Sequence, residues 1–140
     1  MRTRTKSGFT LVEILIVVVI LGILAAIVIP QFSQASTDAK TSSLQSNLQT
    51  MRSQLALYKI QHNDTVPLTA AAAGTGLQTL LINKTTIAGV VDAAGACGPY
   101  LQVKIPNNPF TGANAVGTDW IYTSDGSTWS FTAPAPYAAY

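Results

Sequence analysis

From Phe9 to Ile29 nearly every position is apolar, and Glu13 is the only charged side chain in the run. At about 1.5 Å per helical residue the run spans roughly 30 Å, the hydrocarbon thickness of a bilayer. It predicts a helix long enough to cross a membrane. After Pro30 the polarity changes while the period holds. Leu44, Leu48, Met51, Leu55 and Tyr58 recur at spacings of four and three, and Ala35 and Ala39 extend the stripe more weakly. Glutamine, serine and threonine fill the other sides. That is one face of an amphipathic helix. A single long helix is predicted from about Phe9 to Gln61, its second half packed on the carboxy-terminal part of the chain. A coiled-coil seam fits the same spacing, but the stripe is short for one, and aromatic residues downstream need a surface to pack on. Pro30 cannot donate to the carbonyl of Ala26, so a kink is predicted between Ala26 and Pro30. Gly22 also interrupts the apolar run, although membrane helices tolerate both residue types. His62-Asn63-Asp64, with Pro67 close behind, ends the helix.

Beyond the helix the pattern shortens. The stretch 70–76 is small and flexible in character. From Gly76 to Asn83 a short helix would turn Leu77, Leu80 and Leu81 inward, and from Thr85 to Gly98 a loop is predicted, extended near 87–91. Pro106 and Pro109 remove ladder donors, so that region reads as loop or sheet edge. Trp120-Ile121-Tyr122-Thr123-Ser124 and Ser127-Thr128-Trp129-Ser130-Phe131 flank Asp125-Gly126. Asp-Gly between strand-like runs signals a hairpin with a two-residue turn. That turn would pair Ser124 with Ser127, Tyr122 with Trp129 and Trp120 with Phe131. It would set four aromatics on one face, over the Leu48–Tyr58 part of the helix. Such an aromatic row is more often core than a sugar-binding platform. Residues 133–140 form a tail rich in proline and alanine.

Length and charge narrow the picture. The chain has 140 residues, enough for one domain. With the membrane helix set aside, the remaining core is marginal alone and should lean on that helix and on neighbouring copies. Only 10% of residues are charged. Arg2, Arg4 and Lys6 precede the apolar run; the five basic residues after it (Lys40, Arg52, Lys59, Lys84, Lys104) face six acidic ones. A near-neutral chain does not suit nucleic acid, and the early basic cluster holds the amino terminus in the cytoplasm. Cys97 is the one cysteine, so no intrachain disulfide forms; it reads as a small half-buried residue. His62, the only histidine, is expected to be solvated at the helix end. No nucleophile–base pair or metal-ligand spacing appears, which argues against an enzyme.

Glu13 is the unexplained residue. A carboxylate within a membrane segment costs about 2.5–3.5 kcal/mol on insertion scales and ordinarily has a partner and a role. No basic residue lies one helical turn away, so the partner is expected on another chain, or as a backbone amine created by a cut nearby. Gly8-Phe9-Thr10-Leu11-Val12-Glu13, behind a basic leader and before a long apolar run, resembles the processing site of type IV prepilins and type II secretion pseudopilins. The resemblance is strong from Lys6 to about Tyr58. It implies a leader of residues 1–8, cleavage between Gly8 and Phe9 by a membrane peptidase, and N-methylation of Phe9. Glu13 would meet the amino terminus of a neighbouring subunit in a filament, and Gly22 and Pro30 would bound a stretch that loses helical order on assembly. The segment 98–112, with its two prolines and polar pair, is similar to the one leading into the sheet of the major pseudopilin.

The implied fold is α+β and pilin-like: a long amino-terminal helix, partly transmembrane, packed on a small antiparallel β-sheet. Its parts are the leader 1–8, a membrane or filament-core half 9–30, an amphipathic half 31–62 and a small globular region 63–140. The implied function is a structural subunit of a type II secretion pseudopilus or a pilus-like filament. Its partners would be further copies, the prepilin peptidase and methyltransferase, inner-membrane assembly machinery, and lipid before assembly. The subunit would sit in the bacterial inner membrane with its carboxy-terminal part periplasmic, before joining a periplasmic or surface filament. The lack of a cysteine pair and the brief soluble region favour the pseudopilin side. Some major pseudopilins bind calcium in a carboxy-terminal loop; here Asp119 and Asp125 stand six residues apart across the hairpin and lack the other oxygen-rich positions, which argues against calcium and leaves no cofactor expected. The alternatives are a minor pilin that binds a ligand or DNA, and a plain signal-anchored protein. An ordinary secretory signal would have a shorter apolar core.

Overall fold

The computed structural model describes residues 8–69 and 76–139. The basic leader residues Arg2, Arg4 and Lys6 and the small-residue stretch 70–75 lie outside the described residues. The elements in chain order are α1 (Leu11–Gln61), α2 (Gly76–Ile82), β1 (Ile121–Ser124) and β2 (Trp129–Thr132). The chain divides into two compact units, Met1–Ala39 and Lys40–Tyr140, and α1 contributes to both. This is the α+β arrangement expected, with the helix running unbroken through Gly22 and Pro30.

In the first unit every large apolar side chain from Phe9 to Phe32 is more than half exposed. Packing among the described residues stabilises none of them. A helix apolar all round, with no cover of its own, needs lipid or other helices around it. Length and composition suit a membrane crossing.

The second unit holds the core. Leu44, Leu48, Met51, Leu55 and Tyr58 are buried on one face of α1, together with Leu77 and Leu81 of α2, Ile105, Trp120, Tyr122 and Phe131. Burying a side chain of this size contributes about 1.5–3 kcal/mol, so the four-and-three stripe decides where the sheet docks. Leu80, expected to point inward, is half-buried. At the end of α1, Asn63 and Asp64 take φ of 51° and 61°. The amide of Asp64 donates back to the carbonyl of Lys59 at 3.0 Å. Asn and Asp accept this left-handed backbone better than most residues, which is why the helix stops here.

His62 departs from the expectation of a solvated helix end. It is 1% exposed. Its imidazole stacks on the Tyr58 ring at 3.7 Å between centroids. Nδ1 meets the carbonyl of Tyr58 at 2.8 Å and Nε2 meets Oγ1 of Thr85 at 2.9 Å. Since a carbonyl only accepts, Nδ1 carries the proton and Nε2 accepts from the threonine hydroxyl. Thr85 is buried in turn and exchanges two backbone hydrogen bonds with Cys97, at 2.9 and 3.1 Å. The histidine thus ties the end of α1 to the loop 85–97.

The hairpin forms, but its turn lies one residue further on than Asp125-Gly126 implied. The pairs are Ser124 with Trp129, Thr123 with Ser130, Tyr122 with Phe131 and Ile121 with Thr132. The amide of Asp125 reaches the carbonyl of Thr128 at 3.2 Å, so Gly126-Ser127 make the bend. The reason is the Asp125 carboxylate, which accepts from the amides of Ser127 and Thr128 at 2.8 and 2.6 Å and from the Thr128 hydroxyl at 2.8 Å. An aspartate serves a turn best just before the bend, where its oxygens reach the amides ahead, and Gly126, with φ of 96°, takes the position that needs positive φ. Moving the turn by one residue shifts the pairing register by two, which keeps every side chain on its face. Tyr122 and Phe131 are buried as partners, Trp120 is buried beside Phe131, and Trp129 is half-buried.

The proline-bounded stretch is loop, as expected. Asn108 is fully buried there, its Nδ2 donating to the carbonyl of Asp119 at 2.8 Å and its Oδ1 accepting from the amide of Phe110 at 3.0 Å. Trp120 donates from Nε1 to the carbonyl of Pro106 at 2.8 Å. In the tail, Tyr137 stacks on Phe110 at 4.0 Å.

Candidate processing and assembly site

The site is built by the way α1 begins. Thr10 precedes the first helical residue, Leu11, and Glu13 is the third residue of the helix. The amide of Thr10 donates to Oε2 of Glu13 at 2.7 Å, and the Thr10 hydroxyl donates to the same oxygen at 2.8 Å. In return the amide of Glu13 reaches the Thr10 hydroxyl oxygen at 3.3 Å. This reciprocal arrangement is a capping box: two amides that the helix cannot satisfy are paired by two side chains. Glu13 therefore has a partner on its own chain, one turn back, in the form of an amide and a hydroxyl where only a cation was expected. The sequence signal for it is Thr10-Leu11-Val12-Glu13.

Gly8, Phe9, Thr10 and Glu13 line one small hollow. Gly8 lies just outside the helix, and a Cβ there would meet nothing within 4 Å. No packing among the described residues calls for glycine at this position. Phe9 is 84% exposed. Gly22 and Pro30 are not brought into this cluster; they lie about 14 Å and 26 Å further along the helix axis. Gly22 also has open space around it, so its lack of a side chain serves no contact among the described residues.

The carboxylates weighed as calcium ligands are engaged with their own loops. Asp119 accepts through Oδ2 from the amide of Ala115 at 2.9 Å. The three donors on Asp125 hold its carboxyl at about 2, below the ordinary carboxylate range. Burial pushes the phenols of Tyr58, Tyr100 and Tyr122 upward, Tyr100 to about 12. Cys97 is buried, its thiol directed at the carbonyl of Gln61 at 3.5 Å. Among the described residues no three His, Cys, Asp or Glu side chains gather.

Known proteins resemble this chain in sequence, most of all over its amino-terminal part. The family described as the prokaryotic N-terminal methylation motif matches residues 3–29, which include Gly8, Phe9, Glu13 and Gly22. The type II secretion system core protein G of Vibrio cholerae is 30% identical over 125 residues, covering 89% of this chain and 75% of the relative. The chain belongs to the core protein G family. The core protein G of Pseudomonas aeruginosa is 44% identical over 62 residues, 44% of each chain; this chain spans about half the length of several relatives it matches. The type IV major pilin protein PilA of Myxococcus xanthus is 50% identical over 46 residues, 33% of this chain and 21% of the relative. No solved structure matches the chain.

Proposed function

We propose that this chain is a structural subunit, cleaved between Gly8 and Phe9, N-methylated on Phe9 and polymerised into a type II secretion pseudopilus. The observation that carries this is the lone carboxylate of Glu13, held four residues after Phe9 at the head of a bare apolar helix. Before assembly the subunit rests in the inner membrane, amino terminus cytoplasmic and globular region periplasmic, with Thr10 satisfying the carboxylate. A peptidase and methyltransferase act on the exposed Gly8–Phe9 segment. In the filament, helices of many copies cover the apolar run. The Phe9 amine of one copy neutralises Glu13 of another, an ion pair that the low dielectric strengthens and that fixes axial register. Gly22 and Pro30 bound the stretch that adjusts as lipid is exchanged for neighbouring helices. The reading calls for no metal, since Asp119 and Asp125 accept hydrogen bonds within their own loops. Likeness to PilA supports a pilus as the second reading; the longer match to core protein G favours the pseudopilus.

Intact mass and fragmentation of the amino terminus, on protein from membranes of a host carrying the secretion system, tests the reading. A chain starting at Phe9 and heavier by one methyl group is expected. A chain that keeps Met1 would make this a signal-anchored protein.

A further inference from the structure

Of the four aromatic side chains on the hairpin, three belong to the core: Trp120, Tyr122 and Phe131 are buried. Trp129 is only half-buried. It borders a cleft of about 370 Å³ lined also by Thr69, Thr123, Asp125, Thr128 and Ser130, a volume at the small end of ligand sites. One aromatic side chain thus stands among hydroxyls and a carboxylate.

The hydrogen bonds already made define what the cleft still offers. Oγ1 of Thr123 and Oγ of Ser130 lie 2.8 Å apart on two exposed residues. That bond uses one of the two hydroxyl hydrogens and leaves the other, with spare lone pairs, for a ligand. Oδ1 of Asp125 accepts from two amides, while Oδ2 accepts from the Thr128 hydroxyl at 2.8 Å. A carboxylate oxygen has two lone-pair sites, so Oδ2 keeps one. With its carboxyl held at about 2, Asp125 is ionised near neutral pH and accepts strongly. The backbone, by contrast, is closed. Oγ1 of Thr69 accepts from the amide of Ser124 at 2.7 Å and donates to its carbonyl at 2.9 Å. An extended peptide therefore finds no free strand edge at Ser124 to pair with. The carboxylate repels phosphate and other anions.

We propose that this cleft binds a neutral saccharide, one pyranose ring lying on the Trp129 indole with a ring hydroxyl donating to Oδ2 of Asp125. One face of a pyranose carries C–H bonds, which suit an aromatic ring with a negative face. Its rim carries hydroxyls that both donate and accept, as the Thr123–Ser130 pair does. The charge on Asp125 selects against acidic sugars. The hairpin register fixes these groups before the sugar arrives, which lowers the cost of ordering them. Neither cleavage at Gly8 nor polymerisation is needed for this binding.

Saturation-transfer NMR tests it on the full chain, in a polyoxyethylene detergent because glycosidic detergents would compete. Maltose, cellobiose and diacetylchitobiose are the probes. At least one should bind with a Kd of about 1 mM, within reach of one stacked ring and a few hydrogen bonds, with transfer strongest at its ring C–H protons. Trp129→Ala should weaken that binding at least tenfold. Trp129 also packs against the core, so Trp129→Tyr accompanies it; that variant keeps a ring and should bind within threefold of the native chain. Ser130→Ala, at an exposed position, should weaken binding at least threefold. Digalacturonate should bind at least tenfold more weakly than the neutral probe. No transfer from any of the three neutral sugars at about 10 mM would overturn the site. Undiminished binding by Ser130→Ala and by a folded Trp129→Ala chain would place the sugar elsewhere, and digalacturonate binding as tightly as the neutral probe would overturn the role of Asp125.

Discussion

At Glu13 two demands meet on one carboxylate. Alone in an apolar helix it would oppose membrane residence by about 2.5–3.5 kcal/mol. Thr10 offsets part of that by donating twice to Oε2. The bond is local and reversible, so on the proposed filament reading a stronger donor, the charged amine of a neighbouring Phe9, would displace it. Glu13→Ala is therefore expected to leave cleavage after Gly8 intact and to lower filament yield at least tenfold, read by amino-terminal mass and by imaging of sheared filaments; normal filaments from this variant would remove the register role. Asp125 shows the same chemistry in water. Its carboxyl is held at about 2 in the fold against an ordinary 3.8. A depressed carboxyl adds stability above its unfolded value and loses it as pH falls through the folded one. Protection of the hairpin amides from exchange should thus decline from about pH 4 toward pH 2, and Asp125→Ala should lack that slope and start from lower protection.

At the scale of elements, the fold was legible in the sequence where a period was long, and hidden where one side chain chose its partner. The stripe from Leu44 to Tyr58 marked the buried face of α1 because so many repeats of one spacing leave one solution. His62 continues that stripe, four residues after Tyr58, and this spacing was the missed signal; its hydrogen-bond partner Thr85 lies 23 residues away, out of reach of local pattern. The hairpin faces were legible because alternation has only two phases. The register was not, because the choice between Asp125-Gly126 and Gly126-Ser127 rests on where one carboxylate finds amides. Two changes test this view. His62→Phe keeps a ring to stack on Tyr58 but strands the Thr85 hydroxyl, and should cost about 1–3 kcal/mol in chemical unfolding of the detergent-solubilised chain. Gly95→Ala places a Cβ against the carbonyl of Thr85 and the carbonyl oxygen of Asp92; backbone must move, and about 1–3 kcal/mol should again be lost.

For the whole molecule, the distribution of charge decides how stability responds to solution conditions. Asn108 donates to the carbonyl of Asp119, and Asp119 accepts from the amide of Ala115, in the loop beside Trp120; on the metal-free reading, adding a chelator should leave the unfolding midpoint unchanged, and a fall in the midpoint would place a metal in that loop. Base should act differently from acid. Three tyrosines that join α1, the sheet and the segment near Pro99 enter the fold as neutral phenols: Tyr58, Tyr100, whose hydroxyl donates to Oε1 of Gln61 at 2.7 Å, and Tyr122, whose hydroxyl donates to the carbonyl of Pro67 at 2.6 Å. Burial raises all three. A raised phenol contributes stability that is whole below its unfolded value near 10 and is lost as pH climbs through the folded value. Stability of the globular region should therefore be level up to about pH 10 and fall steeply toward about pH 12, where Tyr100 ionises in the fold. Tyr122→Phe removes one ionisation and should flatten part of that fall, with loss of the bond to Pro67. Unfolding midpoints of the two chains, followed from about pH 8 to about pH 12, should converge as the native chain loses the advantage its buried hydroxyl gave.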